Sequence, residues 1–279
     1  MLLNPKSLYT IAKKEFSDNV RNKWILALIL IFLFLTIASS FMAGEGEVGE
    51  LDLTVGMMLS ISTMLVPIIS IMLGYATISG EAESGALSVV LTCPVRRIEV
   101  LLGKFIGLGS VMCFSVLVGF GGSGVIIALT TGDAQWSVYL VFVALTMLVG
   151  LLYLSMSIFF SSLLKRRVTS LAAGVLIFFW GMIAGMAMTG LFMATGGSIE
   201  DFISGDMTSM PDWFWSEVFL NPMDGYSAAV MLAMGSTEFM GYAFDFPSWI
   251  NSGSLVLVLL VWTLIPLIIA SIWFEKRDV

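Results

Sequence analysis

Six uncharged, mostly apolar runs alternate with short polar connections: Trp24–Ala43, Leu53–Gly80, Phe105–Gly132, Ala134–Leu164, Val168–Ile199 and Phe246–Phe274. A helix needs about 20 apolar residues to cross the hydrocarbon core of a bilayer, so each run is long enough once and none is long enough twice. The pattern predicts six transmembrane helices, over 24–43, 55–78, 105–130, 136–162, 169–194 and 252–274. The fold class is an all-α polytopic membrane protein, with residues 1–279 forming a single transmembrane domain.

The longest polar interruption in the first half runs from Tyr75 to Lys104 and carries Glu81, Glu83, Arg96, Arg97, Glu99 and Lys104. Ser79 followed by Glu81 and Glu83 predicts a helix start, because carboxylates near an N-terminus favour the helix dipole. Pro94 has no N–H and pushes Cys93 out of helical geometry, so that helix should stop near Leu91 and a second should begin near Arg97. The residues alone leave two readings of 79–98: a short helix across the membrane mouth that contacts another protein, or an ordinary connection. Ahead of the first run, Leu8, Ile11, Ala12, Phe16 and Val20 share roughly one helical face, with Lys13, Lys14 and Arg21 off it. This predicts an interfacial amphipathic helix over 6–22. Between the fifth and sixth runs, 195–250 is the only sizeable acidic connection. Asn221-Pro222-Met223-Asp224 reads as a helix start there, and Trp213, Phe214, Trp215 and Trp249 suit a membrane–water interface. A pair of short helices on or dipping into the outer leaflet is expected.

Charge adds direction. All 13 Lys and Arg residues lie before the first run, at 96, 97 and 104, at 165–167, or after the sixth run. The intervening connections hold only acids, among them Glu45, Asp133, Asp212, Glu217, Asp224 and Asp245. The positive-inside rule therefore predicts a multi-pass plasma-membrane protein with both termini, the 75–104 stretch and the 165–167 turn in the cytoplasm. The net charge of −7 gives no sign of nucleic-acid binding, and with 12% charged residues the chain is far from the roughly 25% of a soluble domain.

Candidate chemistry is sparse. The chain has no His, and its two cysteines, Cys93 and Cys113, fit no CxxC pattern, so neither a metal centre nor a disulfide is expected. Gly119-Phe120-Gly121-Gly122-Ser123-Gly124 matches GxGxxG inside an apolar run with no preceding strand. Close helix packing or a kink explains it better than a dinucleotide site. Gly103-xxx-Gly107 and Gly181-xxx-Gly185 are weaker small-xxx-small patterns. Ten of the 19 methionines lie between Met182 and Met240, but no His or Cys joins these soft ligands. No charged residue lies within a run, which disfavours a proton- or sodium-coupled pump. There is no GxxxxGK[ST] P-loop, so the chain is not expected to be an enzyme. Any energy for uphill movement must come from a separate chain.

The stretch Ser79-Gly80-Glu81-Ala82-Glu83-Ser84-Gly85-Ala86-Leu87, then Cys93-Pro94-Val95-Arg96-Arg97 and Leu101-Leu102-Gly103-Lys104, resembles the signature of ABC-2 transporter permeases. That signature is close to SGE-(R/K)-E-x-GTL, a P-x-(S/T)-R segment and a GK entering the third span. This chain departs from it at Ala82 and Ala86. Ala12-Lys13-Lys14-Glu15-Phe16 is similar to the family's KEF opening and Leu220-Asn221-Pro222 to its LNP. Asn221-Pro222-Met223-Asp224-Gly225-Tyr226 is similar to the NPxDxY of the Nos-type permeases of nitrous-oxide-reductase maturation. The resemblance implies a permease subunit that couples ATP hydrolysis by a separate pair of ABC ATPase subunits to export. ATP and Mg would be bound by those partners and no cofactor by this chain. It implies a homodimer or a pair with a sister permease, embedded in lipid. It implies an elbow helix over 6–22 and a coupling helix between spans two and three. Glu81, Glu83, Gly85, Leu87, Pro94, Arg96 and Arg97 would then be the ATPase-coupling residues. The Nos-type likeness implies an alternative in which no cargo is carried and the motion serves an extracytoplasmic maturation partner. A passive channel or scaffold is the reading without an ATPase. The sequence marks no substrate site. Within the resemblance, Glu83 and Leu87, four apart, would share the docking face, with Leu87 as its apolar anchor.

Overall fold

The computed structural model describes residues 4–21, 23–43, 51–92, 94–131, 136–198, 200, 207, 210–235, 238–239, 242–243 and 245–276. Cys93, Arg277, the acidic connections 44–50 and 132–135, and most of 199–209 lie outside them. In chain order the helices are α1 (Pro5–Val20), α2 (Lys23–Ala43), α3 (Leu51–Gly74), α4 (Ser79–Glu83), α5 (Ala86–Leu91), α6 (Arg97–Val116), α7 (Gly122–Thr131), α8 (Trp136–Leu163), α9 (Arg167–Ala194), α10 (Glu217–Leu220), α11 (Pro222–Met234) and α12 (Ser252–Lys276). A minimal antiparallel pair, β1 (Glu238–Phe239) and β2 (Tyr242–Ala243), is the only strand structure among the described residues.

Five stretches are long and apolar enough to cross a membrane: Val55–Glu83, Arg97–Ile126, Trp136–Leu163, Arg167–Ala194 and Ser252–Lys276. In α2 the apolar stretch that qualifies among the described residues is shorter, Leu30–Ser39. The chain is a multi-pass membrane protein. Leu129, Leu176, Met186 and Leu257 are exposed, as lipid-facing side chains should be.

α8 is the central post. Tyr139, Phe142, Val149, Leu152 and Tyr153 are buried along it, packed with Val66 of α3, Met112 of α6 and Leu259 of α12. Small residues let the helices approach. A methyl group at Gly150 would come within 2.9 Å of Met112, and one at Gly74 within 2.8 Å of Ser157. α9 stands apart, with only 6% of its apolar window buried in the chain against 56% for α8.

The GxGxxG stretch resolves into a π turn, Leu117–Gly121, joining α6 to α7. A π turn frees a carbonyl from the helical ladder. Here Tyr139 Oη donates to Phe120 O, and the Tyr139 ring lies where a side chain at Gly124 would sit. The glycines serve close packing and a local distortion.

Candidate functional site

The two ends of the molecule differ, and the described basic residues of the later connections gather at one of them. There α3 passes through a turn into α4, and α4 into α5 at Ser84–Gly85. Gly85 has φ +75°, a left-handed conformation that a Cβ disfavours. One helix from Ser79 to Leu91 was expected; this glycine divides it into two short ones. α5 stops at Leu91, three residues before Pro94, and α6 starts at Arg97.

The base of α4 is bolted to the spans. Ser161 Oγ on α8 accepts from the Ile78 and Ser79 N–H groups, at 3.0 Å each, which satisfies two donors at the start of α4. Glu81 Oε1 accepts from Lys104 Nζ at 2.7 Å, and Glu15 Oε1 of α1 accepts from the same ammonium at 2.7 Å. Glu83 pairs with Arg167 at the start of α9 at 3.5 Å, in a more exposed position. Arg97 Nη1 donates to Phe274 O at 3.0 Å, with its guanidinium 5.8 Å from the Phe274 ring centroid. Glu99, buried at the head of α6, accepts from the backbone N–H of Asn4 at 2.8 Å and of Arg96 at 3.1 Å. Pro94 and Arg96 are exposed.

Leu87 corrects the expectation of an apolar docking anchor. It is fully buried, in a cluster with Ile78, Val100, Leu101, Ile158 and Phe274. In one unbroken helix Glu83 and Leu87 would share a face. The left-handed turn at Gly85 separates them, sending Glu83 outward and Leu87 beneath α4 and α5. What stands clear of the body is the tip: Glu83, Ser84, Gly85, Ala86 and Ser88 are exposed.

A second polar constellation lies deep in the helix layer. The segment 214–234 folds as a hairpin whose apex is the junction of α10 and α11. Phe219 O accepts from Trp262 Nε1 of α12 at 2.9 Å, and Leu220 O from Trp180 Nε1 of α9 at 3.2 Å. Asn221 caps α11 by accepting from Met223 N at 3.1 Å and donates to Gly181 O at 3.3 Å. Trp180, Gly181 and Trp262 all lie near the middle of their helices, so the apex reaches mid-depth. It is a hairpin that dips into the helix layer and returns, the second of the two placements expected for these short helices.

The hairpin also changes the reading that no acid lies mid-span. Glu217 and Asp224 flank the apex, and Asn221 Nδ2 donates to Asp224 Oδ2. Tyr226 Oη of α11, fully buried, lies 2.7 Å from Thr146 Oγ1 of α8. A groove of about 850 Å³ opens beside the apex along α9, lined by Thr63, Met182, Met186, Met193, Asn221 and Asp224 among others. Among the described residues no group of three or more His, Cys, Asp or Glu side chains could hold a metal. The acids were visible in the sequence. Their depth was not, because hydropathy windows find helices that cross and pass over helices that dip and return.

Sequence comparisons agree with this architecture. The family model described as "ABC-2 family transporter protein" matches residues 9–279. Two relatives carry the name "Probable ABC transporter permease protein NosY". The one from Pseudomonas aeruginosa is 29% identical over 286 aligned positions, covering 98% of this chain and 99% of the relative. The one from Stutzerimonas stutzeri is likewise 29% identical, covering 97% and 98%. With nearly its whole length matched and several membrane-crossing helices in place, the chain belongs to the ABC-2 family of transporter permeases.

Proposed function

We propose that this chain is the membrane subunit of an ABC transporter in the plasma membrane, coupling ATP hydrolysis by a separate pair of ABC ATPase subunits to export. The observation that carries this reading is the α4–α5 tip. It is exposed at its end, yet tied at its base to α1, α6, α8 and α9 by Glu81, Ser79 and Glu83. Such a part receives force at the tip and delivers it to several spans. In this reading α4–α5 is the coupling element, α1 is the elbow helix, and α2 completes six spans. Both termini are cytoplasmic, on the side of the basic connections. The bare face of α9 meets lipid or a second permease, either a copy of this chain or a sister subunit.

A second reading carries no cargo and has the re-entrant hairpin as its output. Its support is an apex gripped by Trp180 and Trp262, through which movement of α9 and α12 would reach the acidic side. Purification from native membranes in mild detergent tests both. A P-loop ATPase should co-purify, and the chain stripped of it should show no vanadate-sensitive ATP turnover. A secreted protein in the same complex favours the second reading. A partner-free chain that hydrolyses ATP contradicts both.

A further inference from the structure

Lys104 is the most buried basic residue among those described. Its side chain is only 4% exposed, and it is placed between two carboxylates from elements far apart in the chain. Glu15 belongs to α1 and Glu81 to α4, and each meets the ammonium at 2.7 Å. The Lys104 backbone belongs to α6, so one side chain joins three helices. The joint between α1 and α6 is also close sterically: a methyl group at Gly103 would meet Ile11 at 2.8 Å, and one at Gly107 would meet Ala12 O at 2.7 Å. α4 approaches from the other side and meets α1 only through this ammonium in the ion pairs described. The remaining ion pair of α4, Glu83 with Arg167, is longer and exposed, and such pairs are weak and screened by salt.

We propose that Lys104 is a positioning residue that clasps α1 and α4 into one mechanical unit, so that displacement of the α4 tip is passed to α1 and hence to α2. The transmission half of this proposal rests on the ATPase-coupled reading above; the clasp itself does not. One ammonium serves two carboxylates, so the three groups act together. Removing Lys104 leaves two partly buried acids facing each other, which is worse than losing either bond alone. Replacing all three groups with uncharged ones of similar size removes the repulsion as well as the link. Interactions of this kind are non-additive, and that non-additivity can be measured.

The test uses the full-length protein in nanodiscs, with and without its ATPase subunits, read by amide hydrogen exchange. Without ATPase, Glu81→Gln is a change in α4 alone. The clasp predicts that it raises exchange in α1, over residues 5–20, at least about threefold along with that in α4. Lys104→Met should raise both further, Lys104→Arg should restore most of the protection, and the triple Glu15→Gln/Glu81→Gln/Lys104→Met should be milder than Lys104→Met alone. Exchange in α1 unaffected by Glu81→Gln overturns the clasp. With ATPase bound, trapping with ATP and vanadate should change exchange in α1 of the unaltered complex. That response should be lost in the triple variant while the ATPase stays bound. A triple variant that keeps the full response overturns transmission through Lys104. An unaltered complex with no nucleotide response, alongside intact cross-protection in the ATPase-free protein, overturns the coupling reading and with it the transmission role, leaving a purely structural clasp.

Discussion

Leu87 and Glu83 show how one backbone angle divides two neighbouring residues. Both belong to the polar interruption, and helical spacing places them together. Gly85 at φ +75° turns the chain between them, so that Leu87 is fully buried while Glu83 stays exposed in a loose pair with Arg167. The positive φ could not be deduced from spacing, because Gly85 sits in a stretch whose charges and small residues fit a continuous helix equally well. The two residues should differ in energetic weight. Leu87→Ala should cost about 2–5 kcal/mol of stability through the cavity it leaves, whereas Glu83→Gln should change stability by about 0–1 kcal/mol. Thermal unfolding of each variant in the same detergent checks this. Equal midpoints for Leu87→Ala and the parent protein would contradict the packing described. Glu217 and Asp224 carry the same lesson. Their identity was legible, but their place beside the apex follows from the fold of a hairpin that no periodicity announces.

At the scale of elements, the crossing helices were legible because about 20 uncharged residues in a row have few other destinations. The start of α6 near Arg97 followed from Pro94 in the same way. The use of the small-residue motifs was not legible. Gly103 and Gly107 read only as a place where two helix backbones can approach. They receive α1, whose Ile11, Ala12 and Glu15 lie directly over them. Spacing marks a close approach without naming the helix that approaches. Gly107→Val should therefore lift α1 from α6, at about 1–3 kcal/mol for overpacking. Limited proteolysis should then cut the N-terminal helix faster than in the parent protein. Gly190→Ala on α9 is the matched control, since an added methyl group there meets nothing within 4 Å. Equal cleavage of α1 in the Gly107→Val and parent proteins would contradict the seat.

For the whole molecule, the contacts explain why the basic connections share one end. α1, the 75–97 stretch, the head of α9 and the tail of α12 meet there through Lys104, Arg167 and Arg97, so their charges are partly spent inside the protein. Among the residues this end leaves exposed are Ser84, Gly85 and Ala86 at the tip, which is the proposed contact with the ATPase. The most direct measurement is co-purification of the ATPase subunit with Ala86→Arg, beside Glu83→Gln, from membranes holding equal amounts of permease. A guanidinium at an exposed position leaves the buried cluster intact, so the permease should insert and melt as the parent does. The account predicts that Ala86→Arg loses at least about nine-tenths of the bound ATPase, as a cost of about 1.4 kcal/mol or more at the interface requires, while Glu83→Gln retains most of it. Full retention of the ATPase by Ala86→Arg, with ATP turnover unchanged, would contradict it.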